Sequence, residues 1–336
     1  MSAAGHTRRQ FLSLTAAAAA TGARAAAGTA GATPPPRFQD VRSIAAGELQ
    51  VGFVDVGGKG RPTVILLHGW PYDIHSFIDV APRLVAAGYR VVIPYLRGYG
   101  PTRFLRESAP RNAEQSALAL DVVALMDALG IAKAILAGFD WGARTAAIVA
   151  ALWQERCRAL VSVSGYLIGS QAANQAPLPP EAELAWWYQF YFATERGRTG
   201  YAQNRKAFAR LIWELGSPRW AFDDATFDRS AAALDNADHV DVVISNYRWR
   251  LGLERGDFRL DSLERRLAAA PSIAVPTITM EGEANGAPHP DPRSYADKFT
   301  GKYVHRHLKG GIGHNLPQEA PAAFADAILA VDGFQR

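Results

Sequence analysis

Asp140 lies in a turn between two regular segments, and its surroundings are typical of a nucleophile. The run Ala134-Ile-Leu-Ala-Gly138 is apolar and strand-like, and a helix-like run of small residues leaves from Gly142. A glycine on each side of the turn lets the chain bend sharply and hold the Asp140 side chain in a strained, exposed position. An ordinary Asp, with a pKa of about 3.9, is ionised at neutral pH and needs no base to activate it.

A carboxylate in this turn indicates chemistry at an alkyl carbon. A serine alkylated by an epoxide or a halide would become an ether, which water does not readily cleave. An alkylated aspartate is an ester, and esters hydrolyse. An esterase is therefore the least favoured enzyme class, since acyl transfer does not explain an aspartate here. The simpler interpretation of Asp140 is a helix N-cap, because Asp is a favoured capping residue and a helix is expected to begin beside it.

Two backbone N–H groups are candidates for stabilising an oxyanion. The segment Leu66-Leu-His-Gly-Trp-Pro71 directly follows an apolar strand-like run. A His-Gly turn in this place directs a backbone N–H, here that of Trp70, towards a developing negative charge. The second donor is the N–H of Trp141, the residue after Asp140. The alternative is an ordinary turn that contains Gly and Pro. The segment lies one strand–helix–strand unit before Asp140, and this position favours the functional interpretation.

His314 is the candidate general base. It lies in the segment Gly310-Gly-Ile-Gly-His-Asn-Leu-Pro317, between the last predicted strand and the final predicted helix. A glycine-rich loop lets its side chain reach the ends of the strands, and its place late in the chain fits the order nucleophile, acid, histidine. Three other histidines in this part of the chain lack that loop context: His289, His305 and His307.

Together these motifs resemble the α/β-hydrolase superfamily, and most closely its epoxide hydrolases and haloalkane dehalogenases, over residues 40–335. The motifs that carry the resemblance are His68-Gly-Trp-Pro71, Arg97-Gly-Tyr-Gly100, Gly138-Phe-Asp-Trp-Gly142 and Gly313-His314. The resemblance implies an α/β-hydrolase fold, in which a mostly parallel central sheet is flanked by helices and a helical lid is inserted between strands 6 and 7. It also implies a reaction without a metal or an organic cofactor.

Two tyrosines in the expected lid favour the epoxide hydrolases. Epoxide hydrolases of this kind use two lid tyrosines to hold the epoxide oxygen, and the segments Tyr188-Gln-Phe-Tyr-Phe192 and Ser245-Asn-Tyr-Arg248 carry those roles onto Tyr188 and Tyr247. Ring opening leaves an alkoxide, a poor leaving group that needs a proton, whereas a halide needs none. The alternative is that both rings are aromatic core of the lid.

The residue after the nucleophile also separates the two branches. Haloacetate dehalogenases have a similar turn but place an arginine directly after the nucleophile, where this chain has Trp141. Arg144 does match their second arginine. The resemblance therefore implies an epoxide hydrolase that opens an apolar epoxide with water, and a haloalkane or haloacid dehalogenase is the nearest alternative.

The acid that should orient His314 is not in its usual place. In the resembling enzymes it follows the seventh strand, and the matching segment is Met280-Glu-Gly-Glu-Ala-Asn285, which has Asn285 where an Asp is expected. An asparagine can accept a hydrogen bond from His314 but cannot stabilise an imidazolium by charge. Glu283 is the favoured substitute, with Asp291 as a second candidate. The missing acid also leaves open a non-catalytic binding protein of the same fold.

The order of apolar runs predicts how the chain is divided. Strand-like and helix-like runs alternate, which predicts a mostly parallel α/β sheet, and an aromatic, helix-like stretch interrupts them. We expect residues 33–165 and 271–336 to form the core and residues 166–270 to form the lid. The predicted strands are Leu49–Val56, Thr63–Leu67, Arg90–Tyr95, Ala134–Phe139, Ala159–Ser164, Ser272–Met280 and Lys302–Leu308. The predicted core helices are residues 74–87, residues 113–129, the segment after Asp140, and residues 318–331.

The N-terminus predicts export. Thr7-Arg-Arg-Gln-Phe-Leu-Ser-Leu14 precedes an alanine-rich stretch, which resembles a twin-arginine signal peptide over residues 1–32 with Ala30-Gly-Ala32 as its cleavage site. We therefore expect the twin-arginine export machinery as a partner and a periplasmic or secreted protein. The apolar stretch is shorter than the roughly 20 residues of a spanning helix, so no stable membrane insertion is expected.

The remaining composition excludes other classes. The chain has 336 residues, 49% of them hydrophobic, which is enough for one large core. Its net charge of +4 falls to +1 without residues 1–32, so no basic surface remains that would indicate nucleic acid. Cys157 is the only cysteine, which rules out an intramolecular disulfide.

Overall fold

The computed structural model describes Phe38 and residues 40–334, so the predicted signal peptide at residues 1–32 lies outside the described residues. The described part has nine strands: β1 Val41–Ala46, β2 Leu49–Val56, β3 Thr63–Leu67, β4 Arg90–Pro94, β5 Arg103–Phe104, β6 Ala134–Gly138, β7 Cys157–Val163, β8 Thr277–Gly282 and β9 Tyr303–Leu308. They form one sheet in the order β1-β2-β4-β3-β6-β7-β8-β9, and the two-residue β5 pairs with β2.

The sheet is parallel from β4 through β9 along this order, and antiparallel only where β2 meets its neighbours. Every residue of β3, β4 and β6 is buried. Strands covered on both faces are expected to be continuously apolar rather than alternating, which is how these three read in the sequence. The predicted α/β-hydrolase fold class is confirmed.

Core helices cover the sheet in two pairs. The core helices are α1 Ala81–Ala86, α2 Gln115–Ala128, α3 Trp141–Leu152, α11 Leu316–Glu319 and α12 Pro321–Gly333. α2 packs on α3 and α1 packs on α12, and both α3 and α12 contact β6 and β7. The first and last predicted helices are each divided, because Pro82 and Pro321 lie at the starts of new helices and a proline favours the first turn of a helix over its interior.

Seven helices of the described chain lie between β7 and β8, which are the sixth and seventh strands of the main path because β5 stands outside it. They are α4 Gln171–Asn174, α5 Pro180–Ala185, α6 Trp187–Phe192, α7 Glu195–Gly216, α8 Asp224–Ala231, α9 His239–Arg250 and α10 Asp261–Ala268. We call this segment the lid. α6, α7 and α9 pack on one another. In residues 40–334 no helix is both long and apolar enough to cross a membrane.

A buried hydrogen-bond chain joins the lid to the core. The indole N–H of Trp70 donates to the Tyr201 hydroxyl at 2.8 Å, and that hydroxyl donates to Nε2 of His239 at 2.8 Å. Nδ1 of His239 in turn donates to the carbonyl of Gly98, at 2.9 Å. Burial lowers the pKa of His239 to about 3, so the ring is neutral and has one donor and one acceptor, as the chain requires.

Candidate active site

Asp140 sits in the strained turn that the sequence predicts between β6 and α3. Its φ of 52° and ψ of −126° lie in a region that non-glycine residues rarely adopt. The turn packs tightly on the end of β3, since a Cβ on Gly142 would lie 1.9 Å from the carbonyl oxygen of Leu67. The Asp140 side chain makes no capping bond to α3. Asp140 therefore occupies the N-cap position of α3 without capping the helix through its side chain, and its carboxylate lines the cavity instead.

Backbone N–H groups hold the carboxylate. Trp70 donates its N–H to Oδ1 of Asp140 at 2.8 Å. Burial raises the pKa of Asp140, but the nearby His314, the N–H of Trp141 and the charge of Arg144 outweigh it, and the net pKa is lowered. The N–H of Trp70 thus contacts the carboxylate directly, and the N–H of Trp141 favours its charged form. In an ester on Asp140 they would face its carbonyl oxygen.

His314 reaches the nucleophile from the loop after β9. Its Nε2 lies 3.6 Å from Oδ2 of Asp140, close enough for one water to be activated between the ring and the ester carbon. Its backbone N–H is held by Oγ of Ser217 at 3.0 Å, at the C-terminal end of α7. The lid therefore also fixes the backbone that presents the histidine.

Asn285 is the residue that orients His314. Nδ1 of His314 and Oδ1 of Asn285 are 3.2 Å apart, and the ring N–H donates because an amide oxygen only accepts. The Asn285 amide donates onward to Oε1 of Glu281 at 2.8 Å and to Oγ of Ser164 at 3.3 Å. Glu281 is 4% exposed at the end of β8. A buried carboxylate is thus one residue removed from the histidine, which the sequence analysis did not find.

The prediction that Glu283 orients His314 is wrong for this structure. Its Oε1 accepts the backbone N–H of Gly311 at 3.2 Å and lies 3.6 Å from Arg219, so the carboxylate faces the outer side of the histidine loop. Asp291, the second candidate, forms an exposed pair with Arg293. Glu283 and Asp291 both follow the end of β8. Asn285, rather than either acid, contacts the ring of His314.

Tyr188 and Tyr247 line the cavity together with Asp140 and His314. Their ring centroids are 5.4 Å apart in an edge-to-face arrangement, and each packs against Trp70, at 5.0 and 5.3 Å. Burial first, and then nearby charges including Asp140, raise the pKa of both hydroxyls. Both tyrosines are therefore protonated at neutral pH and can donate to an oxygen in the cavity.

The cavity is small and carries two positive groups. Its volume is about 240 Å³, below the roughly 300–1,000 Å³ of sites for drug-sized ligands. Arg144 and Arg250 both line it. Arg144 is the residue that matches a dehalogenase arginine. Arg250 had no sequence signal, because it is far from Arg144 along the chain and meets the cavity only through the packing of α9.

Several known proteins are similar to this chain. Residues 62–209 match a family model described as alpha/beta hydrolase fold. Epoxide hydrolase A of Mycobacterium tuberculosis is 32% identical over 325 residues, which cover 88% of this chain and 96% of the relative. Epoxide hydrolase B of the same organism is 38% identical over 202 residues, so the chain spans about half of its length, 54%.

A solved structure is more similar. The crystal structure of a candidate epoxide hydrolase from Klebsiella pneumoniae has 62% sequence identity and a TM-score of 0.87, covering 88% of this chain and 98% of that chain. At this identity the resemblance extends beyond the fold to the sequence.

Proposed function

Because the chain belongs to the epoxide hydrolase family of the α/β-hydrolase fold, whose members are hydrolases that act on ether bonds, we propose that it opens an epoxide to a vicinal diol through an ester on Asp140. The observation that carries the proposal is the pair of protonated tyrosines, Tyr188 and Tyr247, in the same cavity as an ionised, uncapped Asp140. One group attacks carbon while the others supply the proton that an alkoxide needs.

In the first half-reaction an oxygen of Asp140 attacks a ring carbon and the carbon–oxygen bond of the epoxide breaks. The released oxygen takes a proton from Tyr188 or Tyr247, so it leaves as a hydroxyl. The remaining tyrosinate lies near Arg250, whose positive charge stabilises it and opposes the rise that burial causes in the pKa of both tyrosines. The product of this step is an alkyl ester of Asp140.

In the second half-reaction water attacks the carbonyl carbon of that ester, and His314 takes the proton. Asn285 holds the ring by accepting its Nδ1–H, which leaves Nε2 free to act as base. The backbone N–H groups of Trp70 and Trp141 stabilise the oxyanion. Collapse releases the diol and regenerates the carboxylate, and the proton on His314 returns to the tyrosinate.

The experiment follows a panel of epoxides with the protein and its Asp140→Ala and His314→Gln variants. We expect diol from the unchanged protein, none from Asp140→Ala, and from His314→Gln a stable adduct that carries the full mass of the epoxide. Peptide mapping should locate the adduct on Asp140. A single turnover in ¹⁸O-labelled water should place one labelled oxygen in the Asp140 carboxyl group, because water attacks the acyl carbon.

The presence and the mass of the adduct separate this proposal from its alternatives. A dehalogenase would form an adduct lighter than its substrate by one hydrogen halide, would release halide, and would tolerate Tyr188→Phe and Tyr247→Phe. A binding protein without activity would form no adduct from any epoxide, and Asp140→Ala would keep its affinity for ligand.

We also propose export by the twin-arginine machinery, which rests on the sequence of residues 1–32 alone. Fractionation of cells that express the full chain, beside an Arg8→Lys/Arg9→Lys variant, tests it. Export of the unchanged chain and retention of the variant is the expected result, and equal distribution of the two would refute it.

A further inference from the structure

Two arginines reach the cavity from opposite parts of the fold. Arg144 lies in the first turn of α3, and its backbone N–H donates to the carbonyl of Asp140 at 3.2 Å. Arg250 ends α9, three residues after Tyr247. Core and lid thus each place one guanidinium in the wall of the same 240 Å³ cavity.

Neither guanidinium has a carboxylate within ion-pair distance among the described residues. Arg144 donates Nε to the carbonyl of Leu167 at 3.2 Å. Arg250 lies over the rings of Trp186 and Tyr247, with Cζ 5.5 and 5.9 Å from their centroids. Both arginines are partly buried, and withdrawing a cation from water is costly unless a negative group accompanies it.

The charge of Arg250 acts on Arg144. Burial, followed by the charge of Arg250, lowers the pKa of Arg144 to about 10. Asp140 is the largest of the groups that oppose this effect, ahead of Tyr247 and Tyr188, because its negative charge favours the protonated guanidinium. The nucleophile therefore also serves as the counterion of the cavity.

One negative charge in the cavity faces two positive charges. Among the lining residues Asp140 carries one negative charge and the two arginines carry two positive charges. When Asp140 becomes a neutral ester, its negative charge passes to the tyrosinate, so the two guanidiniums still share a single negative charge. A substrate that brings its own negative charge would supply the second one, both before and after the ester forms.

We propose that the substrate is a small epoxide that carries a carboxylate, and that Arg144 and Arg250 bind this carboxylate. The inference rests on the proposed function and revises the expectation of a wholly apolar substrate. The aromatic side chains of Trp70, Tyr188 and Tyr247 hold the ring, and the arginines hold the acid. The carboxylate takes no part in bond making: the acid enters as an epoxy acid, gains one water, and leaves as a dihydroxy acid.

The kinetic test compares each epoxy acid with its own primary amide, which has nearly the same shape and no charge. We would use 2,3-epoxybutanoate and 3,4-epoxybutanoate beside the two amides. Charge-assisted hydrogen bonds predict that kcat/KM for at least one acid exceeds that of its amide by about tenfold or more. Arg144→Met and Arg250→Met keep the apolar stem and should each bring that ratio close to one.

Arg248→Met is the matched control. Arg248 lies on the same helix as Arg250 but is bound outside the cavity to Glu195 and to the carbonyl of Ala193, so the ratio should not change. Equal losses for acid and amide in the Arg144 and Arg250 variants would overturn the proposal, because they would assign both arginines to the tyrosinate rather than to the substrate. A ratio near one for both acids in the unchanged protein would also overturn it.

A binding measurement separates this inference from the proposed reaction. The Asp140→Asn variant cannot form the ester, and its cavity should bind butanoate at least about tenfold more tightly than butanamide by calorimetry. The preference should vanish when Arg144→Met and Arg250→Met are added. If butanoate binds in this way while no epoxide is opened, the carboxylate site stands and the epoxide hydrolase proposal fails. If butanoate binds no better than butanamide, the carboxylate site fails whatever the protein turns over.

Discussion

Exchange of the amide at Asn285 for a carboxylate tests how the histidine is charged and held. In Asn285→Asp one carboxylate oxygen would keep the place 3.2 Å from Nδ1 of His314. The other would replace the amide nitrogen, which now lies 2.8 Å from Oε1 of Glu281. Two carboxylates at that distance do not both ionise, so the pair would share one proton and carry one negative charge.

The single variant should therefore gain little, because the Glu281 carboxylate already contributes a negative charge to this cluster. The double variant Glu281→Gln/Asn285→Asp is different, since the new amide at position 281 can donate to the new carboxylate at position 285 and leave a full charge beside His314. An opposite charge at this range favours the imidazolium by about 1–3 pKa units, or roughly 1.4–4 kcal/mol. The imidazolium forms in the second half-reaction, so hydrolysis of the ester should accelerate by about tenfold or more relative to Glu281→Gln.

The assay is a single turnover with excess enzyme, followed by quenching and intact-mass measurement of the Asp140 adduct. Formation of the adduct reports the first half-reaction and its decay reports the second. We compare the unchanged protein, Glu281→Gln, Asn285→Asp and the double variant. Adduct formation should change little among these four proteins. Decay should be slowest in Glu281→Gln and fastest in the double variant.

Two results would refute this reasoning. Unchanged decay in Glu281→Gln would show that the buried carboxylate does not act on His314 through Asn285. Equal decay in Asn285→Asp and in the double variant would show that the two carboxylates do not share a proton, and that the 2.8 Å contact between Asn285 and Glu281 does not govern the charge at position 285.

Three further perturbations follow from the structure. Tyr188→Phe and Tyr247→Phe should each slow adduct formation, and the double change should abolish it, while decay of any adduct is unaffected; rapid-quench kinetics measures both, and full activity of the double variant would contradict the role of the hydroxyls. Gly69→Ala should inactivate a folded protein, since its Cβ would lie 2.2 Å from Oδ1 of Asp140; circular dichroism with the diol assay checks this, and normal activity would be the contrary result. The free energy of unfolding should fall as pH drops below about 6.5, because a neutral buried His239 with a pKa of about 3 binds fewer protons than the unfolded chain. His239→Gln should flatten that slope by about 1.4 kcal/mol per pH unit in urea titrations between about pH 6 and pH 4, and an unchanged slope would count against it.

Local signals made the positions of Asp140 and His314 predictable. Asp140 is flanked by glycines that the sharp turn requires, and His314 lies in a glycine-rich loop after the last strand, so both motifs carry their geometry within a few residues. The strands β2 and β3 were predicted with the bounds that the structure shows. In β3 the signal is a continuous apolar run, which is typical of a buried parallel strand.

Residues that reach the site only through tertiary packing were not predictable in the same way. Glu283 and Asn285 are two residues apart in a loop, and nothing periodic in the sequence says which of them faces His314. The role of Glu281 was not predicted because a carboxylate normally marks the end of an apolar strand in a sequence. The predicted strand therefore ended at Met280, before Glu281. Arg250 was missed because its role depends on how α9 lies over the sheet, and β1 because most of its side chains are exposed.

Trp70 belongs to two systems at once. Its backbone N–H holds Oδ1 of the nucleophile, and its indole N–H holds Tyr201 of the lid. Replacing the lid with that of a relative would therefore also affect the core, because Trp70 contacts both. A transplanted lid without a hydroxyl at the Tyr201 position would leave the indole without its acceptor, and the displaced ring would carry the change directly to the carboxylate that starts the reaction.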